Sequence, residues 1–372
     1  MNTKRLSVGL VGPLPPPSGG MANQTRQLAR LLEQEGVGVE IVQVNASYRP
    51  QWVGSLRGVR AVFRLVPFLL ALWRTAGRVQ LFHVMANSGW AWHLCAAPAV
   101  WIAKLRRVPV VVNYRGGYAG EFFARSFFWV GPTLRLADRL VVPSGFLQHV
   151  FARFGLTAEV VPNVIDLSRF APRTAAQAAS PAAPHIIVTR NLEPIYDIGT
   201  ALRALAIVMK TWPAVRMTVA GSGPELDNLG ALSRELGVAA QVTFAGRLDN
   251  DRIGELYQTA DLFLNSSVVD NMPISILEAL ASGVPVISTD AGGIPFLVDH
   301  EKTALLVSPR DADAMARALL DLLNDPGKAA RLAAAGRESV QQYAWHNVRG
   351  RLFDVYSALA PGSLQDAAAA TK

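Results

Sequence analysis

Residues 270–288 read DNMPISILEALASGVPVIS. Asp270 and Glu278 stand on either side of Pro273, at the start of an apolar helical run. Proline suits the first turn of a helix, because its missing N–H would have no intrahelical partner there. Asp270 then falls in the loop before the helix and Glu278 a turn or more inside it. At about 1.5 Å of rise per residue, the two acids could bracket a ligand roughly 10 to 12 Å long. Between them the N–H groups near Ile274, Ser275 and Ile276 point outward with the positive end of the helix dipole, which favours an anion. A ligand with a diphosphate in the middle and hydroxyl-rich sugars at both ends matches that layout. The plainer alternative is that Asp270 caps the helix and Glu278 is a solvated or salt-bridged side chain.

The strand PVIST follows this helix at once, and helix-then-strand is one repeat of a pattern that runs along the whole chain. LSVGLVG (6–12) is a strand, PLPPPSGG a loop and MANQTRQLARLLEQEG an amphipathic helix. VEIVQV, QLFHVM, PVVVNY, RLVVPS and EVVPN recur as short β-branched runs between helical stretches. Buried parallel strands alternating with helices have this appearance. Residues 171–184, APRTAAQAASPAAP, lack periodicity and read as a linker. Beyond them HIIVT, RMTVAG, QVTFAG, DLFLN, PVIST and ALLVS repeat the pattern, with TALRALAIVMKTW and PELDNLGALSRELG among the helices. The expected architecture is α/β, two doubly wound Rossmann-like domains covering 1–170 and 185–344. Ligands on such sheets lie at the carboxyl ends of the strands, often in a cleft where two domains face each other.

Composition narrows the class. The chain has 372 residues, 51% hydrophobic and 17% charged, which argues for extensive buried surface. A single cysteine, Cys95, excludes an internal disulfide or a cysteine-based zinc site. No signal peptide or spanning run is visible, so a cytoplasmic location is the default expectation. The net charge of +8 is uneven: residues 1–170 carry 19 Lys and Arg against 7 acids, while the remainder is net acidic. Nucleic acid is disfavoured as a partner, because no recognition module accompanies the charge. Leu56, Val59, Phe63, Val66, Leu70 and Trp73 recur at helical spacing beside Arg57, Arg60, Arg64, Arg74 and Arg78. That segment is read either as a core-facing helix with a solvated basic face, kinked at Pro67, or as a basic surface for anionic lipid headgroups.

Three further strand-end loops qualify as site candidates. Gly19 and Gly20 in PPPSGG would let a phosphate approach the backbone, or form a plain turn. Their spacing is not G-x-G-x-x-G, which removes the main support for hydride chemistry. Arg190, directly after HIIVT, could hold phosphate oxygens or pair with Glu193 or Asp197. Gly221, Ser222 and Gly223 could cradle an anion or make an ordinary strand-to-helix turn.

The stretch DNMPISILEALASGVPVISTDAGGIP resembles the donor-site signature of the retaining family 4 glycosyltransferases: an acid, seven residues, a glutamate, a small-residue helix, a G-V-P-V strand and an acid-x-G-G-x-P loop. VAGSGPE, VTFAGRL, TADLFLNSS and VVPNVID are similar to further elements of that family, in its order. The resemblance implies a GT-B fold with an N-terminal acceptor domain, a C-terminal nucleotide-sugar domain, and a helix over 345–360 returning to the first domain. By position, Glu278 would hold the ribose hydroxyls and Asp270 those of the transferred sugar. Arg190 would bind the diphosphate, with the backbone from Met272 through Pro273 and Ile274 to Ser275, and Gly19 and Gly20, closing around it. Arg247 sits where the nucleobase packs. Asp270, Glu278 and Arg190 are then the catalytic set. The donor is a nucleoside-diphosphate sugar, the acceptor a glycan or lipid-linked glycan, and no metal or other cofactor is expected.

Three positions depart from the family pattern. Its sugar-facing acid is usually glutamate, here Asp270. A lysine normally lies six residues after the arginine, where this chain has Tyr196. Many members carry a histidine after the fourth N-terminal strand, where this chain has Arg115 in VNYRGG. Arg115 is therefore a candidate substitute for the missing lysine. These departures leave room for a catalytically silent nucleotide-sugar-binding subunit. An epimerase or a glycosidase fits less well, since paired glycosidase carboxylates flank one bond at roughly 5 to 9.5 Å and need no phosphate site.

Overall fold

The computed structural model describes residues 6–16, 19–47, 60–170, 172 and 183–361, with backbone alone at 60–62 and 250–251. Leu56, Arg57 and Val59 of the expected basic helix, the side chain of Arg60, Pro17 and Ser18 of the first loop, and most of the expected linker lie outside that description. Two units divide the chain: one runs through Asn163 and resumes at Val348, and the other is Val164–Asn347.

In the first unit, strands and helices alternate in the order β1 (Ser7–Gly12), α1 (Gly20–Gln34), β2 (Gly38–Gln43), α2 (Arg60–Thr75), β3 (Leu81–Ala86), α3 (Ala97–Leu105), β4 (Val110–Tyr114), α4 (Ala119–Leu136), β5 (Arg139–Val142), α5 (Gly145–Arg153) and β6 (Glu159–Val160). The strands pair in parallel in the order β2-β1-β3-β4-β5-β6. Every residue of β3 and β4 is buried, as expected of parallel strands covered by helices on both faces. Tyr114, Phe123 of α4 and Phe151 of α5 pack ring against ring in the core of this unit.

The second unit repeats the plan with β7 (His185–Val188), α6 (Ile198–Val208), β8 (Arg216–Ala220), α7 (Leu226–Glu235), β9 (Val242–Gly246), α8 (Asn250–Thr259), β10 (Leu262–Asn265), α9 (Ile274–Ala281), β11 (Val286–Thr289), β12 (Leu305–Val307), α10 (Ala312–Asn324) and α11 (Pro326–Ser339). Its sheet is also parallel, in the order β12-β11-β10-β7-β8-β9. The strand order reverses between β7 and β10, so their carboxyl ends open a crevice of the kind that binds ligands in doubly wound sheets. Arg190 leaves β7 and the Asp270 loop leaves β10, on adjacent strands.

A last helix, α12 (Trp345–Leu359), counts with the first unit from Val348 onward. Its Tyr356 hydroxyl lies 2.8 Å from Nδ1 of His83 in β3, both side chains being fully buried.

One element differs from expectation in its orientation. Pro67 sits inside α2, which continues through it as a single helix. The buried positions of α2 are Phe68, Leu72 and Thr75, whereas Phe63, Val66, Leu70 and Trp73, one of whose readings made them core-facing, point to solvent. Arg78 is committed elsewhere, to Glu40 at 2.8 Å. Arg106, just past α3, lies over the Trp73 ring at 4.6 Å.

Candidate functional site

Helix α9 is short and mostly buried, so its ends are fixed by the backbone around it. Pro273 precedes it in an extended conformation and its carbonyl accepts the Ile276 N–H at 3.2 Å. That bond occupies one of the three N–H groups expected to face an anion. Ile274 and Ser275 keep the first-turn positions, where no intrahelical acceptor exists. At the other end Gly283 has φ +65, its N–H bonding to the Leu280 carbonyl at 3.0 Å and that of Val284 to Ala279 at 2.9 Å. Glycine adopts this left-handed stop without a Cβ penalty, and the chain turns directly into β11.

The D-A-G-G loop after β11 holds the Asp270 loop in place. The Gly293 N–H donates to the Asp270 carbonyl at 2.8 Å. A Cβ on Gly292 would come within 2.2 Å of that oxygen, and one on Gly293 within 1.8 Å of the Asn271 carbonyl oxygen. The VAGSG loop plays the same part for Arg190. A Cβ on Gly221 would lie 2.0 Å from the Arg190 carbonyl oxygen, and one on Gly223 2.3 Å from that of Leu192. Backbone fills the space these glycines leave, which requires glycine at both positions whether the loop also cradles an anion or only turns the chain.

Held this way, Arg190 and Asp270 form a direct ion pair through Nη2 and Oδ2, with side chains only 11% and 13% exposed. The other Asp270 oxygen accepts the Asn271 N–H at 2.8 Å. Arg190 Nη1 donates to Ser275 Oγ at 3.3 Å, and its guanidinium lies 4.1 Å over the Tyr196 ring. It pairs with neither Glu193 nor Asp197, the other expected partners; Asp197 instead accepts from Thr200. Burial pulls the Arg190 pKa down, opposed chiefly by Tyr196 and then by Tyr257 and Glu278.

Glu278 lies inside the helix, as its spacing predicts, half-buried and in no salt bridge among the described residues. The Tyr257 hydroxyl shares its single proton between Glu278 Oε2 at 3.1 Å and the Ser275 carbonyl at 3.0 Å, while Thr189 Oγ1 sits 2.6 Å away on the same hydroxyl. Burial raises the Glu278 pKa to about 7, against lowering contributions from Tyr257, Arg169 and Arg190. The carboxyl group is thus poised between its neutral and charged forms near neutral pH. Tyr257 and Thr189 went unnoticed in the sequence, because a tyrosine at a buried helical position reads as core.

The remaining sequence candidates are distributed as follows. Met272 is buried in the core, so only its backbone is available to a ligand. Arg247 is exposed in the loop directly after β9. Gly19 caps α1 in an extended conformation and Gly20 begins the helix, and a Cβ at either would meet nothing. No packing requirement therefore demands glycine there. Arg115 follows β4 and is tied into its own unit: Nε donates to Asn113 Oδ1 at 3.2 Å, and Nη1 donates to Asn163. Because Asn113 turns its oxygen to the arginine, its amide nitrogen faces His83 Nε2 at 3.0 Å. His83 Nε2 is then the acceptor and Nδ1 carries the proton toward Tyr356. Burial, then Arg115, pushes the His83 pKa down to about 3, and burial lowers Arg115 to about 10.

Residues 175–339 match the family described as glycosyl transferases group 1, and residues 18–169 match glycosyltransferase family 4. The chain belongs to the group 1 glycosyltransferases. This glycosyltransferase is 29% identical over 337 residues to the GDP-mannose-dependent alpha-(1-6)-phosphatidylinositol monomannoside mannosyltransferase of Mycobacterium tuberculosis, covering 82% of its own length and 88% of the relative's. It is 25% identical to the sulfoquinovosyl transferase SQD2 of Arabidopsis thaliana, over 88% of its length and 68% of that protein's. Among solved structures, it resembles sucrose-phosphate synthase of Thermosynechococcus elongatus with TM-score 0.76 and 22% identity, covering 95% of this chain and 99% of that one. The UDP complex of HepE from Anabaena gives TM-score 0.75 and 19% identity, over 95% and 100% of the two chains. At those identities the structures establish the GT-B fold, with its two Rossmann-like α/β domains, and nothing finer.

Proposed function

We propose that this glycosyltransferase moves a sugar, with retention of configuration, from a nucleoside-diphosphate sugar to a glycan or lipid-linked acceptor. The observation that carries this reading is the Arg190–Asp270–Ser275 cluster at the amino end of α9, with Glu278 on the same helix. The diphosphate is assigned to Arg190 and the first-turn N–H groups of Ile274 and Ser275, where negative charge developing on the leaving group is met by a guanidinium and a helix dipole. Glu278 is assigned to the ribose hydroxyls, Arg247 to the base, Gly19 and Gly20 to the diphosphate, and Arg115 to the sugar side. Asp270 is assigned to the hydroxyls of the transferred sugar. Its carboxylate is held by Arg190 in this structure, so a diphosphate that recruits Arg190 would release Asp270 toward the sugar. The step is assigned to protein groups alone, and EDTA should leave transfer unchanged.

The M. tuberculosis relative is named for GDP-mannose and a phosphatidylinositol mannoside, and the HepE structures contain UDP or UDP-glucose. Those names support a nucleotide-sugar donor here, and the first supports a lipid-linked acceptor. Screening UDP-, GDP- and ADP-sugars for thermal stabilisation tests the donor reading, since a ligand that binds only the folded state raises Tm. No shift with any of them would overturn it.

Tyr196 favours a second reading, a catalytically silent subunit that binds nucleotide sugar. In place of a second cation near the diphosphate, it offers only a ring under Arg190. Calorimetric binding measured beside donor hydrolysis separates the two, because a silent subunit binds donor and never releases free nucleotide.

A further inference from the structure

All but three of the exposed large apolar side chains among the described residues fall between Phe63 and Trp129. Trp73, Trp101, Leu105, Phe128 and Trp129 of this set lie on three neighbouring helices, α2, α3 and α4. Trp73 of α2 lies beneath Arg106 at the end of α3. One turn back along α3, Leu105 and Trp101 share a face, with Leu105 72% exposed. Trp101 Nε1 donates to Thr133 Oγ1 of α4 at 3.1 Å. One turn before Thr133 stands Trp129, beside Phe128, their rings in edge contact at 4.9 Å and their exposures 74% and 79%. Arg125, a further turn back, flanks both.

Charge singles out a partner for this set. Residues 60–136 contain ten Lys and Arg and a single acid, Glu121, which lies 3.9 Å from Arg125. Arg78 and Lys104 pair with Glu40 and Asp138 and Arg115 is turned inward, while Arg74, Arg106, Arg107, Arg125 and Arg135 are exposed. A second protein would have to supply a complementary apolar surface and acids in register. A lipid headgroup layer supplies both without register: phosphates for the arginines, and an acyl boundary for tryptophan and phenylalanine. No described helix is long and apolar enough to cross a membrane, so contact of this kind is lateral.

We propose that the outward face of α2, α3 and α4 docks the first unit onto an anionic lipid bilayer, with Trp101, Leu105, Phe128 and Trp129 entering the interface and the arginines gripping headgroup phosphates. The inference rests on the lipid-linked acceptor reading for its purpose, although its geometry stands without it.

The test is flotation of the full-length chain with phosphatidylcholine vesicles, with and without phosphatidylglycerol, at low and high salt. The wild-type chain should float with phosphatidylglycerol vesicles, more weakly at high salt, and scarcely with phosphatidylcholine alone. Phe128→Ser with Trp129→Ser should reduce partitioning by roughly tenfold or more while leaving Tm and donor hydrolysis unchanged. Failure of the wild-type chain to float at either salt would overturn the proposal, as would a double variant that floats equally well. So would a dimer in solution that the double variant converts to monomer, because a second copy would then cover that face. A wild-type chain that hydrolyses donor yet does not float sinks this inference alone. Flotation without any donor binding sinks the catalytic reading and leaves the surface standing.

Discussion

Arg190 has three partners from three separate stretches of the second unit: the carboxylate of Asp270, the hydroxyl of Ser275 and the ring of Tyr196. Arg190→Ala should therefore cost twice. Leaving the Asp270 carboxylate nearly buried and unpaired should lower stability by about 3 to 5 kcal/mol. Losing the assigned diphosphate contact should reduce kcat/KM by roughly a hundredfold or more. Chemical denaturation and steady-state kinetics read the two effects separately, and normal turnover in a folded variant would sink the assignment. Glu278 gives a pH signature. Its folded pKa of about 7 lies above the ordinary value of 4.5, so its contribution to stability is full below about 4.5 and is lost as pH rises through 7. Glu278→Gln should abolish that slope, on the order of 3 kcal/mol. Asp270, Glu278 and Arg190 are legible in the sequence because each sits at a fixed offset from a strand end or a helix-starting proline. Tyr257 is not, since only the three-dimensional course of α8 brings its hydroxyl beside Glu278. Tyr196 is visible as a departure from the family pattern, but its stacking on Arg190 is not.

At the level of elements, glycines that look interchangeable in sequence have different work. Gly19 and Gly20 face open space, whereas Gly293 lies against the Asn271 carbonyl. Gly293→Ala should move the Asp270 loop and lower stability by about 2 to 4 kcal/mol, with loss of donor binding. Gly20→Ala should leave Tm nearly unchanged, so any loss of activity there would point to a ligand. Helix α2 shows where periodicity stops informing. A 3.6-residue repeat says which side chains share a face and is silent on which face meets the sheet. Phe68, Leu72 and Thr75 are buried, while the more conspicuous stripe of Phe63, Val66, Leu70 and Trp73 is left outside. The strands were easier to read, because burial on both faces makes each a nearly continuous apolar run.

Over the whole molecule, the two units should answer acid in opposite senses. His83 is held neutral, with a pKa near 3 against an ordinary 6.5, so its contribution is full above about 6.5 and is lost as pH falls toward 3. Glu278 acts in the other direction across an overlapping range, from about 4.5 to 7. Denaturation followed in Glu278→Gln and His83→Gln should resolve two slopes of opposite sign. Tyr356→Phe would leave the buried Nδ1–H of His83 without its acceptor, at a cost of about 1 to 3 kcal/mol. Repeated β-then-α segments made both sheets readable, but strand order and the His83 bond to Tyr356 depend on contacts between distant residues that no local pattern encodes. That bond joins positions 273 residues apart, which bears on how the chain is made. While the ribosome is still translating the second half, the first sheet has already been synthesised with its central imidazole held by Asn113 alone and Tyr356 not yet made. Completion of that lobe must therefore await α12, and messages cut short before codon 348 should yield a product that chaperones retain or proteases clear.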